Sequence, residues 1–263
     1  MIKFFSALPP HIQTLAATLF TWGVTAAGAA LVFFFKKINK NVLDAMLGFA
    51  AGVMTAASFW SLLLPAEEMC AELGFSAPAV LLFGFLSGGA LLFVGDTLLA
   101  RAAKRGKTAG QKSRAAMLVF SVTLHNIPEG LCVGVAFGAL ARGAGGAAFA
   151  SACLLALGIG LQNFPEGAAV SLPLRREGAS RARAFFWGQA SGAVEPVAGV
   201  FGALLVVYVR TLLPFCLSFA AGAMIYVVAA ELLPESGTAE NKNVAALFTL
   251  VGFALMMLLD IAL

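Results

Sequence analysis

Charged residues are scarce in this chain: they make up 11% of its 263 residues, whereas a soluble domain carries about 25%. Hydrophobic residues reach 60%, and the mean hydropathy is +0.93. This shortage of charge excludes an ordinary soluble domain. Crossing a bilayer takes about 20 apolar residues. Segments of that length use nearly the whole sequence, which predicts one integral membrane domain over residues 1–263.

Histidine and cysteine are also rare, with two and four copies respectively. The histidines, His11 and His125, do not form an H-E-x-x-H motif, which argues against an intramembrane zinc protease. No arginine or lysine falls inside the apolar segments, so a lipid-phosphate hydrolase would lack its phosphate-binding cation. The cysteines form no C-x-x-C pair and predict neither a disulfide framework nor a thiolate zinc site. An enzyme is therefore not expected.

Eight segments are long and apolar enough to be transmembrane helices. These predicted spans are residues 12–35, 42–65, 77–100, 116–140, 147–173, 184–209, 213–234 and 243–262. Of the 17 lysines and arginines, 14 lie in connections that follow an odd-numbered span. The positive-inside rule then places those connections in the cytoplasm and both termini outside. We expect a multi-pass protein of the inner (plasma) membrane, whose net charge of +4 reflects topology and not a nucleic-acid partner.

Two internal repeats indicate how the spans are organised. Residues 125–130 (HNIPEG) resemble residues 162–167 (QNFPEG), and residues 49–54 (FAAGVM) resemble residues 219–224 (FAAGAM). The second repeat relates spans 2 and 7, which cross in opposite directions. It predicts an all-α membrane protein with eight transmembrane helices in a 3+2+3 arrangement, in which helices 1–3 and 6–8 are inverted repeats. The alternative is a chance likeness between two short apolar strings.

Each copy of the first repeat places a carboxylate inside a span. A charged side chain at mid-membrane costs roughly 2.5–3.5 kcal/mol on insertion scales, so it normally faces a partner, a pathway or an ion. Residues four apart share a helix face, which puts His125 beside Glu129 and Gln162 beside Glu166. If spans 4 and 5 face each other, these four side chains converge. Because no cationic residue in the spans can pair with the acids, they predict a buried divalent-metal site.

Proline and glycine flank each of these glutamates. Pro128 and Pro165 lack an N–H group, so we expect each span to bend there. In lipid such a bend is tolerated only where protein or cavity water satisfies the freed carbonyl group. Gly130 and Gly167 have no side chain and should let a neighbouring helix approach closely.

Other polar residues in the spans are candidates for a second metal position. Glu195 in span 6 either contributes to such a position or bonds a polar neighbour to join helices. Asn126 and Asn163 either line the second position or form hydrogen bonds between helices. Met54 in span 2 is either a packing residue or a soft ligand.

Three residues are candidates for a transport pathway. Asp96 and Glu231 lie towards the cytoplasmic ends of spans 3 and 7. They either form an exit relay or are solvated at the membrane interface. Ser61 lies about two helical turns outward of Met54, where it could border an entrance.

These residues resemble the ZIP (Zrt/Irt-like) family of divalent-metal transporters, and within it the prokaryotic GufA-like branch. The resemblance rests on the paired N-x-P-E-G motifs and on residues 188–196 (GQASGAVEP), and it covers essentially all eight spans. It implies an eight-helix bundle with a 3+2+3 arrangement and extracellular termini. It also implies movement of zinc, and often of iron, manganese or cadmium, into the cytoplasm.

The resemblance implies residue roles as well. The residues implied to form the metal site are His125, Glu129, Gln162 and Glu166, with Met54 nearby. Those implied to form an adjoining second metal position are Asn126, Glu129, Asn163, Glu166 and Glu195. The implied pathway residues are Asp96 and Glu231 for inner release and Ser61 near the entrance. Two departures stand out: many members have histidine at the position of Gln162, and some two-metal members have aspartate at that of Asn163.

The predicted function is therefore transport of a divalent metal into the cytoplasm by alternating access. A metal-selective channel and a membrane metal sensor are the alternatives. Mixed nitrogen and oxygen ligands favour zinc over iron and manganese, and the sulfur of Met54 would suit cadmium. The expected partners are the metal ion and the lipid bilayer, and small residues in helices 3 and 8 permit a homodimer.

Overall fold

The computed structural model describes residues 5, 8–34, 39–105, 111–140, 146–176, 178–208, 210–236 and 242–261, and all regular structure in them is helical. Numbered in chain order, the main helices are α1 (Pro10–Ala29), α2 (Lys40–Ala57), α3 (Ala77–Arg105), α4 (Gln111–Ala139), α5 (Gly146–Arg176), α6a (Arg181–Gly192), α6b (Val194–Tyr208), α7 (Leu213–Val227) and α8 (Lys242–Ile261). Shorter helical segments extend three of them: Leu31–Phe34 after α1, Ser58–Leu63 and Leu64–Leu73 after α2, and Arg210–Leu212 before and Val228–Leu232 and Leu233–Ser236 after α7.

Six helical segments among the described residues are long and apolar enough to cross a membrane. They are Pro10–Phe34, Lys40–Leu73, Ala77–Leu98, Arg181–Val206, Leu213–Leu232 and Lys242–Ile261. These six correspond to predicted spans 1–3 and 6–8. The helices at predicted spans 4 and 5, α4 and α5, are 29 and 31 residues long but are not among the six. The protein is therefore a multi-pass, all-helical membrane protein, and the count of eight crossings stays a prediction.

Helices α1, α4, α5 and α6 (α6a and α6b together) contact one another in every combination and form one bundle. Outside this bundle, α2 packs against α5, and α7 packs against α4. Helix α8 in turn packs against α2, and α3 packs against α7. Only 17% of the most apolar window of α3 or of α8 is buried, against 61% for α2 or α7. Helices α3 and α8 are thus outermost, and the four-helix bundle holds the residues of both N-x-P-E-G motifs.

Glycine lets the most extensively packed helix pairs come into backbone contact. A Cβ atom at Gly167 of α5 would overlap the backbone of Thr25 in α1, and one at Gly130 of α4 would overlap the backbone of Glu195 in α6b. Without a side chain at these positions the helices approach closely. The close approach expected beside both glutamates is therefore confirmed.

Proline divides one predicted span and leaves two others continuous. Pro128 lies inside α4 and Pro165 inside α5, so the expected bend does not end either helix. Predicted span 6 is instead divided at Ala193 into α6a and α6b. Pro196 accounts for the division, because its ring would clash with the carbonyl group four residues back, at Gly192. The division places Glu195 in the first turn of α6b.

Candidate metal centre

Glu129 and Gln162 join α4 to α5 inside the four-helix bundle. Both side chains are fully buried, and Gln162 Nε2 donates a hydrogen bond of 2.7 Å to Glu129 Oε1. The remaining oxygens, Glu129 Oε2 and Gln162 Oε1, have no hydrogen-bond partner. The bond fixes the orientation of the Glu129 carboxylate and engages the N–H group of the Gln162 amide. One oxygen of each side chain stays available to accept a bond or to bind a cation.

Glu166 lies one helical turn beyond Gln162 on α5. Its side chain is only 5% exposed, and neither of its carboxylate oxygens has a hydrogen-bond partner within the part of the chain that the structure describes. Glu129 and Glu166 lie within electrostatic range of each other. A buried carboxylate without donors is costly, and a second acid nearby adds to the cost. A bound cation would relieve both effects.

Asn126 and Asn163 follow the same pattern as Gln162. Asn126 Nδ2 donates to the carbonyl oxygen of Ser191 at 2.8 Å, and Asn163 Nδ2 donates to Glu195 Oε1 at 2.9 Å. In all three amides the nitrogen is bonded and the oxygen has no partner. The buried oxygens of α4 and α5 that have no partner among the described residues are Oε1 and Oε2 of Glu166, Oε2 of Glu129, Oε1 of Gln162, and Oδ1 of Asn126 and Asn163. All six are hydrogen-bond acceptors, and carboxylate and amide oxygens of this kind are common ligands of divalent cations.

Glu195 turns towards α1 and is fully buried. Thr21 Oγ1 donates to its Oε2, while Asn163 Nδ2 and, at 3.5 Å, Thr25 Oγ1 donate to its Oε1. Glu195 therefore bonds polar neighbours and joins α1, α5 and α6b, as one of the two sequence-based interpretations states. Its role as a metal ligand stays a prediction.

The remaining predicted ligands are placed as follows. Met54 is fully buried in the apolar core on α2. His125 belongs to α4, but its side chain lies outside the described residues. Across the described part of the chain, no group of three or more His, Cys, Asp or Glu side chains is positioned to hold a metal ion. The metal site therefore stays a prediction. Besides the carboxylates of Glu129 and Glu166, it needs amide oxygens such as that of Gln162 and the imidazole of His125.

The predicted pathway residues fall into two places. Asp96 forms a hydrogen bond with Tyr226, and Glu231 is within electrostatic range of both Tyr226 and Glu166. Ser61 Oγ donates to Asp260 Oδ1 at 2.8 Å, and Asp260 Oδ2 has no partner. Asp96 and Glu231 thus both interact with Tyr226, a residue that the sequence had not indicated.

The polar face of α1 was missed by sequence reasoning. This face consists of Gln13, Thr14, Thr18, Thr21 and Thr25, all of them buried. The four threonines are spaced by four, three and four residues, which is the spacing of one helix face. That spacing was the signal that could have found them. It places Thr21 and Thr25 against Glu195.

An all-helical, multi-pass membrane protein with a buried centre of acids and amides is the class that these observations define. The family model described as "ZIP Zinc transporter" matches residues 95–260, which is more than half of the chain. The chain belongs to the ZIP family, and the resemblance drawn from its motifs is confirmed.

Relatives support the same assignment over nearly the full length. The protein named zinc transporter ZIP11 from Bos taurus is 42% identical over 97% of this chain and 98% of its own length. The zinc transporter GufA from Myxococcus xanthus is 36% identical over 95% of this chain and 98% of its own length. The zinc transporter ZIPB from Bordetella bronchiseptica is 36% identical over 92% of this chain and 78% of its own length.

Proposed function

We propose that this protein transports a divalent metal ion, with zinc as the first choice, across the membrane into the cytoplasm. The proposed ligands are His125, Glu129, Gln162 and Glu166. The observation that carries the proposal is the set of six buried oxygens on α4 and α5 that receive no hydrogen bond from the described residues. Buried polar atoms are normally hydrogen-bonded, and a group made of acceptors alone is satisfied by a cation. The zinc transporters among the relatives support the choice of metal.

The charges and ligand types also fit a divalent ion. The carboxylates of Glu129 and Glu166 together balance a charge of two, which would let the ion reside in a medium of low dielectric constant. Nitrogen would come from His125, which precedes Glu129 by four residues in the sequence. Mixed nitrogen and oxygen ligands suit zinc, with cadmium, iron and manganese as secondary substrates.

The proposed arrangement is eight crossings in a 3+2+3 order. Parallel packing supports it: Gly48 lies against Ala245 and Gly52 against Thr249, so α2 and α8 run in the same direction. The glycine contacts of α1 with α5, α4 with α6b and α3 with α7 follow the same order. Each of these pairs combines two odd-numbered or two even-numbered helices, and eight successive crossings make such helices parallel.

The inverted-repeat arrangement is supported by the helix contacts, because exchanging the corresponding helices of the two halves leaves the set of packed pairs unchanged. Exchanging α1 with α6, α2 with α7, α3 with α8 and α4 with α5 converts the pair α1 and α5 into α6 and α4, and the pair α2 and α8 into α7 and α3. The repeat extends to backbone detail, because α2 continues into a π-helical segment, Ser58–Leu63, and α7 into another, Val228–Leu232. Inverted repeats of this kind are typical of transporters with alternating access.

The proposed route places metal entry near Ser61 and release past Asp96 and Glu231. The electrostatic proximity of Glu231 to Glu166 supports the inner half of this route. Purified protein in proteoliposomes should take up radioactive zinc at a slow rate that saturates with concentration, and empty liposomes should not. Rapid flux that does not saturate would favour a channel, and binding without flux would favour a sensor. Preference for magnesium over zinc would contradict the proposed nitrogen ligand.

Replacing Gln162 by histidine should raise the preference for zinc over manganese by about tenfold, because the variant offers a second imidazole nitrogen. An imidazole N–H can still donate to Glu129, so the hydrogen bond between α4 and α5 can persist. The measurement is zinc uptake against increasing manganese. Gln189→His is the matched control, since the Gln189 amide donates to the Phe186 carbonyl at an exposed position. An equal shift in both variants, or none in Gln162→His, would count against Gln162 as a ligand.

A further inference from the structure

Both oxygens of the Glu195 carboxylate are occupied by neutral donors. Oε2 accepts from the Thr21 hydroxyl group, and Oε1 accepts from the Asn163 amide at 2.9 Å. The Thr25 hydroxyl group shares its one hydrogen between the Thr21 carbonyl oxygen at 3.3 Å and Glu195 Oε1 at 3.5 Å. Neither oxygen belongs to the set without partners, in contrast to both oxygens of Glu166. Glu195 is thus the one acid of Glu129, Glu166 and Glu195 whose carboxylate is fully hydrogen-bonded.

The orientation of the Asn163 amide is fixed by two acceptors. Its Nδ2 lies 2.9 Å from Glu195 Oε1 and 3.3 Å from the backbone carbonyl oxygen of Thr21. Turning the amide over would bring Oδ1 against both of these oxygens, which is unfavourable because none of the three carries a hydrogen to share. The nitrogen therefore faces Glu195, at the place where a cation shared by Asn163 and Glu195 would have to sit.

Gly192 of α6a packs directly against the Glu195 carboxylate and the Thr25 hydroxyl group. A Cβ atom built on Gly192 would lie 3.0 Å from Glu195 Oε1 and 3.0 Å from Thr25 Oγ1. A second cation would need Asn163 to turn over, and Thr21 and Thr25 to withdraw from the carboxylate. It would also add two positive charges, and of Glu129, Glu166 and Glu195 only Glu195 would remain to balance them, since the other two already balance one divalent ion.

We propose that Asn163, Thr21 and Thr25 hold Glu195 as a hydrogen-bond acceptor that joins three helices, so that this chain binds one divalent ion. The second metal position that the family resemblance implies has five residues: Asn126, Glu129, Asn163, Glu166 and Glu195. The Asn163 amide then points its nitrogen, and not its oxygen, into that position. This inference rests on the proposed transport function and specifies the stoichiometry of its site.

The test is the number of zinc ions bound per chain, measured by equilibrium dialysis of the purified full-length protein with metal analysis. Wild type should bind one zinc ion, and folded Glu195→Gln should also bind one. Asn163→Asp replaces the amide donor with a second carboxylate beside Glu195 and should bind two. Asn163→Asp combined with Glu195→Gln should return to one. Asn41→Asp, at an exposed position on α2, is the matched control and should bind one.

Two bound zinc ions in wild type would overturn the inference, and so would loss of the bound ion in Glu195→Gln. A folded Asn163→Asp variant that binds only one ion would overturn it as well. If that variant does not fold, the number of zinc ions bound by wild type and by Glu195→Gln still tests the inference. Glu166→Gln tests the proposed function separately: if it still binds one ion as wild type does, the proposed site is wrong whatever Glu195 does.

Discussion

Replacing Glu166 by glutamine should lower the initial rate of zinc uptake into proteoliposomes by about 100-fold or more. Glu166 is 5% exposed, and neither carboxylate oxygen has a hydrogen-bond partner among the described residues. Glutamine keeps the shape of the side chain, removes the charge and converts one acceptor into a donor. Residues that only orient metal ligands cost roughly 10–100-fold when they are changed, so losing a charged ligand should reach at least the upper end of that range.

Glu129→Gln should have a similar effect, and Glu68→Gln should have none. Glu68 is an exposed glutamate in the helical segment Leu64–Leu73 and serves as the matched control. Circular dichroism and size-exclusion chromatography would establish that each variant is folded. Uptake at the wild-type rate by folded Glu166→Gln and Glu129→Gln proteins would show that the ion passes elsewhere.

Gly167→Ala should destabilise the protein by about 3 kcal/mol or more, although it adds a single methyl group. A Cβ atom at Gly167 would overlap the carbonyl group of Thr25 and lie 2.8 Å from the backbone nitrogen of Ala29. Both neighbours are backbone atoms of α1, which no change of rotamer can move aside. Helix α1 would have to separate from α5, and the packing around Glu166 and Glu195 would loosen with it. Thermal unfolding in detergent measures the effect.

Gly23→Ala is the matched control for this prediction. Gly23 also lies in a membrane helix, α1, but a Cβ atom there would meet nothing within 4 Å. Alanine favours helix by about 1 kcal/mol relative to glycine, so this variant should be neutral or slightly stabilised. Equal unfolding temperatures for the two variants would mean that the contact between α1 and α5 tolerates a methyl group.

Six of the eight predicted spans correspond to helices that can cross a membrane, because length and hydropathy alone decide such segments. Predicted span 7 (213–234) and the observed segment Leu213–Leu232 differ by two residues at one end. The division of span 6 at Ala193 was not predicted. Pro128, Pro165 and Pro196 look alike in the sequence, and whether a helix continues past a proline depends on the neighbours that accept its freed carbonyl group.

The candidate site was predictable only where residues carry their signal locally. The spacing of four residues predicted the shared faces of α4 and α5, and the structure adds the bond between Gln162 and Glu129. The threonines of α1 carry no such signal individually. A threonine in a helix commonly donates to the carbonyl group four residues back, as Thr18 does to Thr14. Only the packing of α1 against α6b distinguishes Thr21, which reaches Glu195, from Thr18, which does not.

The π-helical segments Ser58–Leu63 and Val228–Leu232 follow α2 and α7. In each helix, the part after the segment is rotated about the helix axis relative to the part before it. A π-bulge carries one residue more than the α-helical turn that it replaces, and each α-helical residue advances by about 100°. The helix face on which a side chain lies beyond the bulge therefore cannot be worked out from the periodicity of about 3.6 residues in the α-helical part before it. Ser61 lies inside the first of these segments and Glu231 inside the second. Deleting one residue from either segment would rotate the far end of that helix by about a quarter turn while leaving the Gly52 and Gly222 contacts in register.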